Sequence, residues 1–237
     1  MKFEILEKNI WKFKPTTNKW GYSKYKNDVK EILKIDTDIF NTKCIITSDL
    51  HSHSIELFER LNDKINLKNY IVIIAGDMAG NYIRGSDGNP TEFYNLLLKK
   101  YHVKDLIIIQ GNHDLPPNKD NICSNKIIKN GYIYNHNNLG KFAGVNGIIS
   151  NKLHPYKLPK FKYLGFLTKY VGRKLDILIT HDTPKFGDNI GNSNIYDLVL
   201  KIKPKIYIYG HCHHKDIHTI HNKIHFFNVD GRVLICN

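Results

Sequence analysis

The stretch Gln110-Gly111-Asn112-His113-Asp114 decides the fold class, because it directly follows an apolar run at residues 106–109. A β-branched apolar run of this length predicts a buried strand. Glycine allows a sharp turn, and asparagine and aspartate tolerate the backbone conformations of such turns, so the strand would end in an amide, an imidazole and a carboxylate. By itself the stretch is also compatible with a plain polar turn, and the other strand ends decide between the two.

Four more apolar runs alternate with segments of helical spacing. This alternation is typical of parallel βαβ units, in which helices cover the sheet on both faces, and it predicts an α/β fold. After residue 114 the pattern changes to short strands and turns, and residues 217–237 are predicted to form antiparallel strands at the far side of the core. The α/β strands are predicted at residues 44–47, 70–75, 106–109, 176–180 and 205–209, and the helices at residues 54–65, 91–101 and 195–201.

Length and composition indicate a single domain over residues 1–237, of which 41% are hydrophobic. Residues 1–43, with a predicted helix at residues 27–34, are interpreted as an N-terminal extension packed on this domain. Residues 151–175 differ from the rest, because they contain seven Lys or Arg, five aromatic residues and no acidic residue. We interpret them as a basic, aromatic insertion.

The net charge of +13 favours anionic partners such as phosphate esters, nucleic acid or an acidic surface. Lysine, asparagine and isoleucine are all abundant, so A+T-rich coding DNA is a competing explanation of the charge. No apolar run approaches the roughly 20 residues that cross a bilayer, and the N-terminus lacks the apolar core of a secretory signal. We therefore expect an intracellular, cytoplasmic protein whose four scattered cysteines are reduced.

Each of the five α/β strands ends at side chains that can bind a metal ion. Ligands of open α/β sheets gather beyond the carboxyl ends of the strands, so residues distant in sequence would meet at one edge. Asp-x-His and His-x-His place both side chains on one face of an extended segment. Imidazole, carboxylate and amide groups without a thiolate suit manganese, iron, zinc or cobalt. The candidate metal ligands are Asp49, His51, Asp77, Asn112, His181, His211 and His213.

The order of these motifs, D-x-H, G-D, G-N-H-D, H and G-H-x-H, resembles the calcineurin-like metallophosphoesterase superfamily from Asp49 through His213. The resemblance implies a two-sheet β-sandwich flanked by helices, in four αββα layers. It also implies two divalent metal ions, with Mn²⁺ expected first, that share Asp77. The implied ligand sets are Asp49, His51, Asp77 and His213 for one ion, and Asp77, Asn112, His181 and His211 for the other.

The resemblance further implies a mechanism. Two such ions lower the pKa of bound water toward roughly 7, so that hydroxide attacks the phosphorus in line with the leaving oxygen. In the family the histidine at the position of His113 contacts the phosphate or protonates the leaving group, and Asp114 would orient it. Family protein phosphatases carry Asp-Arg after the second motif and Glu in place of Asp114, so a protein substrate is disfavoured.

The predicted function is a metal-dependent phosphoesterase that prefers phosphodiester or nucleotide-type substrates. Residues 151–175 are either a solvated loop whose aromatics fill the domain edge or a basic wall beside the metal ions that holds phosphates and stacks bases. Two other functions stay open: a nuclease related to the DNA-repair branch, and a non-catalytic scaffold like the retromer subunit with this fold. The candidates for substrate contact are Lys157, Lys160, Lys162 and His53, the last with packing as its alternative role.

Overall fold

The computed structural model describes residues 2–13, 26–79, 87–117 and 126–237. The strands are β1 Phe3–Phe13, β2 Lys26–Ile35, β3 Cys44–Ser48, β4 Ile71–Ala75, β5 Asp105–Ile109, β6 Ile133–His136, β7 Gly140–Val145, β8 Ile148–Ile149, β9 Lys157–Leu158, β10 Ile177–Thr180, β11 Ile206–Tyr209, β12 His218–His221, β13 Ile224–Asn228 and β14 Arg232–Cys236. The helices are α1 Ser54–Asn62, α2 Thr91–Asn95, α3 Lys160–Thr168 and α4 Ser193–Ile202, with a π-helical turn at Leu96–Lys100 and 3₁₀ turns at His51–His53 and Leu67–Asn69.

The strands form two six-stranded mixed sheets. The first sheet has the order β1-β2-β14-β3-β4-β5 and the second the order β12-β13-β11-β10-β7-β6. Strands β3, β4 and β5 run parallel in the first sheet, as do β7, β10, β11 and β13 in the second. The parallel βαβ organisation that the alternating pattern predicted is confirmed.

Side-chain alternation along the strands explains how the layers stack. In β3, Ile46 belongs to the buried cluster between the sheets, together with Ile179 of β10. The next residue back, Ile45, faces the other way and packs in the cluster that contains Phe58 of α1. Each such fully buried isoleucine contributes about 1.5–3 kcal/mol. Since each sheet has one face on the other sheet and one on helices, the predicted αββα sandwich is confirmed.

The helix predicted at residues 27–34 is wrong, because this segment forms β2 between β1 and β14. Its Ile32 packs in the cluster outside the first sheet, whereas Leu33 packs between the two sheets. A strand covered on both faces has apolar residues without strict alternation, and a short run of this kind cannot be distinguished from a helix by its period. Residues 14–25 of the N-terminal extension lie outside the described residues.

One of the C-terminal strands, β14, lies in a different place from the one predicted. Strands β12 and β13 are antiparallel, as expected, but β14 lies in the middle of the first sheet rather than at the far side of the core. It runs antiparallel to β3 and parallel to β2. Alternation in a sequence indicates a strand but does not identify the strand with which it pairs.

Within residues 151–175 neither interpretation predicted the helix α3. Tyr163, Leu167 and Tyr170 are buried there, on the outer face of the second sheet, while Phe161 remains 80% exposed. The helix has apolar residues on its buried and its solvent side, which removes the amphipathic signal that sequence analysis needs. Among the described residues, no helix is both long and apolar enough to span a membrane.

Candidate metal centre

The five strand ends that carry the predicted ligands meet at one edge of the sandwich. Strands β3, β4 and β5 bring their ends from the first sheet, and β10 and β11 bring theirs from the second. Each ligand-bearing loop begins directly where its strand ends, so the rigid sheets fix where the loops start. The expectation that residues distant in sequence converge at carboxyl strand ends agrees with this arrangement.

Four of the candidate ligands have left-handed backbone conformations. The φ angle is 58° at Asp49, 50° at His51, 53° at Asp77 and 66° at His211. Such conformations are uncommon for residues other than glycine, cost of order 1–3 kcal/mol and occur preferentially at functional sites. These left-handed turns therefore cost some stability, and they orient the four side chains toward a common point.

Glycines beside the ligands make the close approach of the loops possible. A Cβ atom on Gly76 would lie 2.5 Å from Nδ1 of His181, and one on Gly210 would lie 2.5 Å from Oδ2 of Asp49. A side chain at either position would displace a candidate ligand. The glycines of the G-D and G-H-x-H motifs are thus required by packing around the site.

The carboxylate of Asp77 is common to two groups of potential ligand atoms. The inner group consists of Asp77, His181 and His211, and the outer group of Asp49, His51 and Asp77; within each group the ligand atoms lie within 4.8 Å of one another. Asn112 extends the inner group, because its Oδ1 is 3.2 Å from Nε2 of His181. Asp77 thus belongs to both groups of candidate ligand atoms.

In the inner group, the carboxylate of Asp77 and the ring of His181 lie close together. Nε2 of His181 is 3.2 Å from Oδ2 of Asp77, and both side chains are buried. Burial alone would lower the pKa of His181, but the carboxylates of Asp77 and Asp49 raise it to about 10. Burial alone would raise the pKa of Asp77, but the charge of His181 holds it below its usual value. A proton on His181 thus compensates a buried carboxylate.

The pKa values of two further candidate ligands, Asp49 and His211, are compatible with a bound cation. Burial, together with the neighbouring charge of Asp230, raises the pKa of Asp49 well above its usual value. Burial and the charge of His181 lower the pKa of His211 to about 4, so this imidazole is neutral and its nitrogen can bind a metal. Buried carboxylates short of positive charge and a neutral imidazole are the donor set of a divalent cation site.

His213, implied as a ligand next to the outer group, has a different environment in the structure. Its side chain is 50% exposed, and Nδ1 lies 3.2 Å from Oδ2 of Asp230. A guanidinium nitrogen of Arg232 is 2.9 Å from its Nε2. The described ligand groups do not include His213, and its place in a metal site stays a prediction.

Asp114 has another structural role than the one the resemblance implied. It is fully buried, and its two oxygens accept hydrogen bonds from the backbone N–H groups of Asp77, Met78, Ala79 and Gly111, at 2.8–3.1 Å. Because four donors engage this carboxylate, it ties the second and third motifs together instead of orienting His113. The carboxylate beside the ring of His113 is that of Asp87, with Oδ1 3.2 Å from Nδ1.

His113 lies next to the candidate ligands and remains reachable from solvent. Its backbone N–H donates to Oδ1 of Asp77 at 2.8 Å, and its ring centroid is 5.8 Å from that of His51. The side chain is 22% exposed. A group in this position can contact a substrate held at the ligand edge.

The predicted substrate contacts are only partly accessible. His53 is buried at 7% exposure, which favours its packing role, and its contact with substrate stays a prediction. Lys157 is half-buried in β9, whereas Lys160 and Lys162 are exposed at the start of α3. The contact of these three lysines with a substrate stays a prediction.

Sequence analysis missed four charged or polar residues around the site: Asp87, His154, Asp230 and Arg232. A signal existed for Asp230, which lies two residues after the end of β13, as Asp77 lies two residues after the end of β4. No such signal exists for Asp87 and His154, which lie in segments without periodicity.

The sequence profile of the family described as calcineurin-like phosphoesterase matches residues 42–215, well over half of the chain. Together with the two-sheet sandwich, this match places the protein among the metal-dependent hydrolases of phosphate esters. The chain belongs to the calcineurin-like phosphoesterase family. That family membership implies divalent metal ions, and the two ligand groups around Asp77 are compatible with them.

Comparison with solved structures supports the fold. TT1561 of Thermus thermophilus is similar with a TM-score of 0.58 at 14% sequence identity, over 80% of this chain and 90% of that one. The similarity to Vacuolar Protein Sorting 29 from Cryptosporidium parvum is lower, with a TM-score of 0.41 at 16% identity, over 80% of this chain and 74% of that one. Among curated protein sequences, none matches this chain.

Proposed function

We propose that the protein hydrolyses phosphodiesters or nucleotide-type phosphate esters with the help of two divalent metal ions, of which Mn²⁺ is the first candidate. The observation that carries the proposal is the position of Asp77 in both ligand groups. The inner group with Asn112 would hold one ion. The outer group, with His213 as a further ligand, would hold the other.

Bound at these positions, the ions would polarise the phosphoryl group and lower the pKa of water. The protein's own residues position the substrate and supply the proton. The fixed loops hold the phosphorus beside His113. As the oxygen of water bonds to phosphorus, the bond to the leaving oxygen breaks and the protonated ring of His113 gives that oxygen a proton. His113 is suited to this role because its backbone is fixed on Asp77 while its ring stays partly exposed.

The preference for diesters rests on the surroundings of the site. Lys160 and Lys162 are exposed at the start of α3, and the net charge of the chain is +13. A diester carries two organic groups, and at least one of them extends beyond the candidate ligands. Where that group carries further phosphates, the lysines can neutralise them. A simple monoester would not use this surface.

The test is reconstitution of the full chain. Metal-stripped protein is reloaded with Mn²⁺, its metal content is measured, and hydrolysis of p-nitrophenyl phosphate, bis(p-nitrophenyl) phosphate and a single-stranded oligonucleotide is followed. Mn²⁺-dependent hydrolysis that is faster on the diester supports the proposal. Protein that binds two equivalents of metal and hydrolyses none of the three would favour the non-catalytic scaffold instead.

A nuclease is the second candidate, favoured by one specific observation. Phe161 is 80% exposed between Lys160 and Lys162, and Leu153 is completely exposed nearby in the chain. Aromatic side chains between cations stack bases and neutralise phosphates of single strands. Under this hypothesis Phe161→Ala weakens oligonucleotide binding about five- to a hundredfold, whereas the matched variant Val171→Ala does not. Affinity must also fall steeply with salt, and a flat salt response would dismiss the nuclease.

A further inference from the structure

The carboxylate of Asp87 lies between two imidazoles that are distant in sequence. Oδ1 is in a hydrogen bond with Nδ1 of His113 at 3.2 Å, whereas Oδ2 contacts Nε2 of His154 at 3.3 Å without hydrogen-bond geometry. The three side chains come from the loop before α2, the loop after β5 and the segment before β9. The side chain of His154 is 10% exposed, compared with 41% for Asp87 and 22% for His113.

The backbone holds Asp87 in register with His113. The N–H of Gly88 donates to the carbonyl of His113 at 2.9 Å, and the N–H of Leu115 donates to the carbonyl of Gly88 at 2.7 Å. These two bonds form a short parallel bridge between the loops. The contact between Asp87 and His113 therefore does not depend on the freedom of a long side chain.

The hydrogen bonds also fix where the ring protons lie. Nδ1 of His154 is 3.4 Å from the backbone nitrogen of Tyr156 and acts as the acceptor of its N–H. In neutral His154 the ring proton is then on Nε2, the nitrogen that faces Asp87. In the same way a carboxylate opposite Nδ1 of His113 favours a proton there, which leaves Nε2 of His113 for the substrate.

We propose that Asp87 is the positioning residue of His113 and that His154, in contact with the second oxygen of Asp87, limits the movement of that carboxylate. The meaning of this arrangement for catalysis rests on the proposed function. As the oxygen of the attacking water bonds to phosphorus, the bond to the leaving oxygen breaks and its electron pair goes to that oxygen, which takes the Nε2 proton of His113 in its doubly protonated form. The proton on Nδ1 stays on the side of Asp87 and keeps the ring in its orientation.

A carboxylate at this place could instead serve only to join the two loops, and the variants must separate the two roles. Asp87→Asn keeps an oxygen acceptor and removes the charge, Asp87→Ala removes both, and His154→Gln removes the outer imidazole. Asp63→Asn is the matched control, because Asp63 is exposed directly after α1, toward the opposite edge of the sheets. All are made in the full chain and reloaded with Mn²⁺.

The kinetic test compares the variants with and without His113. We expect Asp87→Ala to lower kcat about ten- to a hundredfold on a diester with a poor leaving group, less on bis(p-nitrophenyl) phosphate, with KM and metal content unchanged. His154→Gln should give a smaller loss of the same kind. In the His113→Ala background Asp87→Ala should cause no further loss. An equal loss in both backgrounds, or an unchanged kcat, overturns the proposal.

A second measurement does not depend on activity. In ¹⁵N-histidine-labelled, metal-free protein, the spectra should show His113 with its proton on Nδ1 and His154 with its proton on Nε2. Asp87→Ala should shift His113 toward the other tautomer, and Asp63→Asn should not. If the wild type hydrolyses no ester but this shift occurs, the proposed function fails and the positioning stands; an unchanged tautomer refutes the positioning.

Discussion

Acids at the amino ends of the parallel strands lie in a different environment from those at the carboxyl ends. At the amino ends, Asp105 of β5 lies 2.7 Å from the ammonium of Lys126, and Asp176 before β10 lies 2.7 Å from that of Lys205. At the carboxyl ends, the neighbours of the carboxylates are other candidate ligands, as with Asp77 and His181. Lysines thus pair with the acids at the amino ends, where Asp105 also contacts His136 at 3.2 Å, whereas the partner of Asp77 at the carboxyl ends is an imidazole.

The pKa values differ in the same way. The hydrogen bond from Lys205 lowers the pKa of Asp176, and the one from Lys126 lowers that of Asp105 against the opposing effect of burial. Burial and Asp230 instead raise the pKa of Asp49. The acids at the amino ends are therefore stabilising in their charged form, as is Asp77, whose pKa His181 lowers, whereas a cation would stabilise the charged form of Asp49.

The largest effect should come from the residue that both ligand groups share. Asp77→Asn should lower metal content for both ions and reduce turnover to that of metal-stripped protein, because the bridging charge is lost. Metal analysis of the purified variant and hydrolysis of bis(p-nitrophenyl) phosphate measure the two effects. Wild-type metal content and rate in this variant would refute the bridging role of Asp77.

His113→Ala should separate the acid from the metal ligands. We expect both metal equivalents to remain, because no ligand of the inner or outer group is changed. The rate should fall about 10²–10⁴-fold, the contribution of a positioned general acid, and most on substrates with poor leaving groups. The leaving-group dependence of kcat checks this prediction, and loss of metal in this variant would contradict it.

Asp49→Asn tests whether a carboxylate at the carboxyl ends of the strands lowers the stability of the metal-free protein. The amide oxygen can still accept from the backbone N–H of His211, whose nitrogen is 2.9 Å from Oδ2, while the unfavourable buried charge disappears. We expect the metal-free variant to be about 1 kcal/mol more stable to urea at pH 7 and to bind less metal. Lower stability of the metal-free variant would show that Asp49 is a structural acid like those at the amino ends.

The sequence predicts the carboxyl ends of the parallel strands better than it predicts the rest of the fold. The strands that end at ligands were predictable, because each combines a buried apolar run with an abrupt polar turn. Their convergence followed from the general geometry of parallel sheets. The family match itself covers residues 42–215, the part in which these strands lie.

What sequence could not provide are pairings set by tertiary contacts. Strand β2 was predicted as a helix, since a strand covered on both faces lacks alternation. The position of β14 beside β3 brings Arg232 to His213, and no pattern in either segment indicates that contact. The partner of His113 was likewise assigned to the adjacent Asp114, although Asp87, distant in sequence, occupies that place.

The smallest predicted effect concerns the amino ends, where an acid should matter for stability alone. The pKa of Asp105 is lowered in the folded protein, so its stabilisation is fully present above the ordinary value of 3.8 and is lost as pH falls through the lower, folded value. Asp105→Asn should therefore cost about 1 kcal/mol of unfolding free energy at pH 7, since its partners are partly exposed, and nearly nothing near pH 2. Urea unfolding at both pH values measures the difference, with Asp63→Asn as the exposed control. Turnover and metal content should stay at the wild-type level. A loss of metal in Asp105→Asn would mean that the two ends of β5 are coupled, and the division between a stabilising and a functional edge would fail.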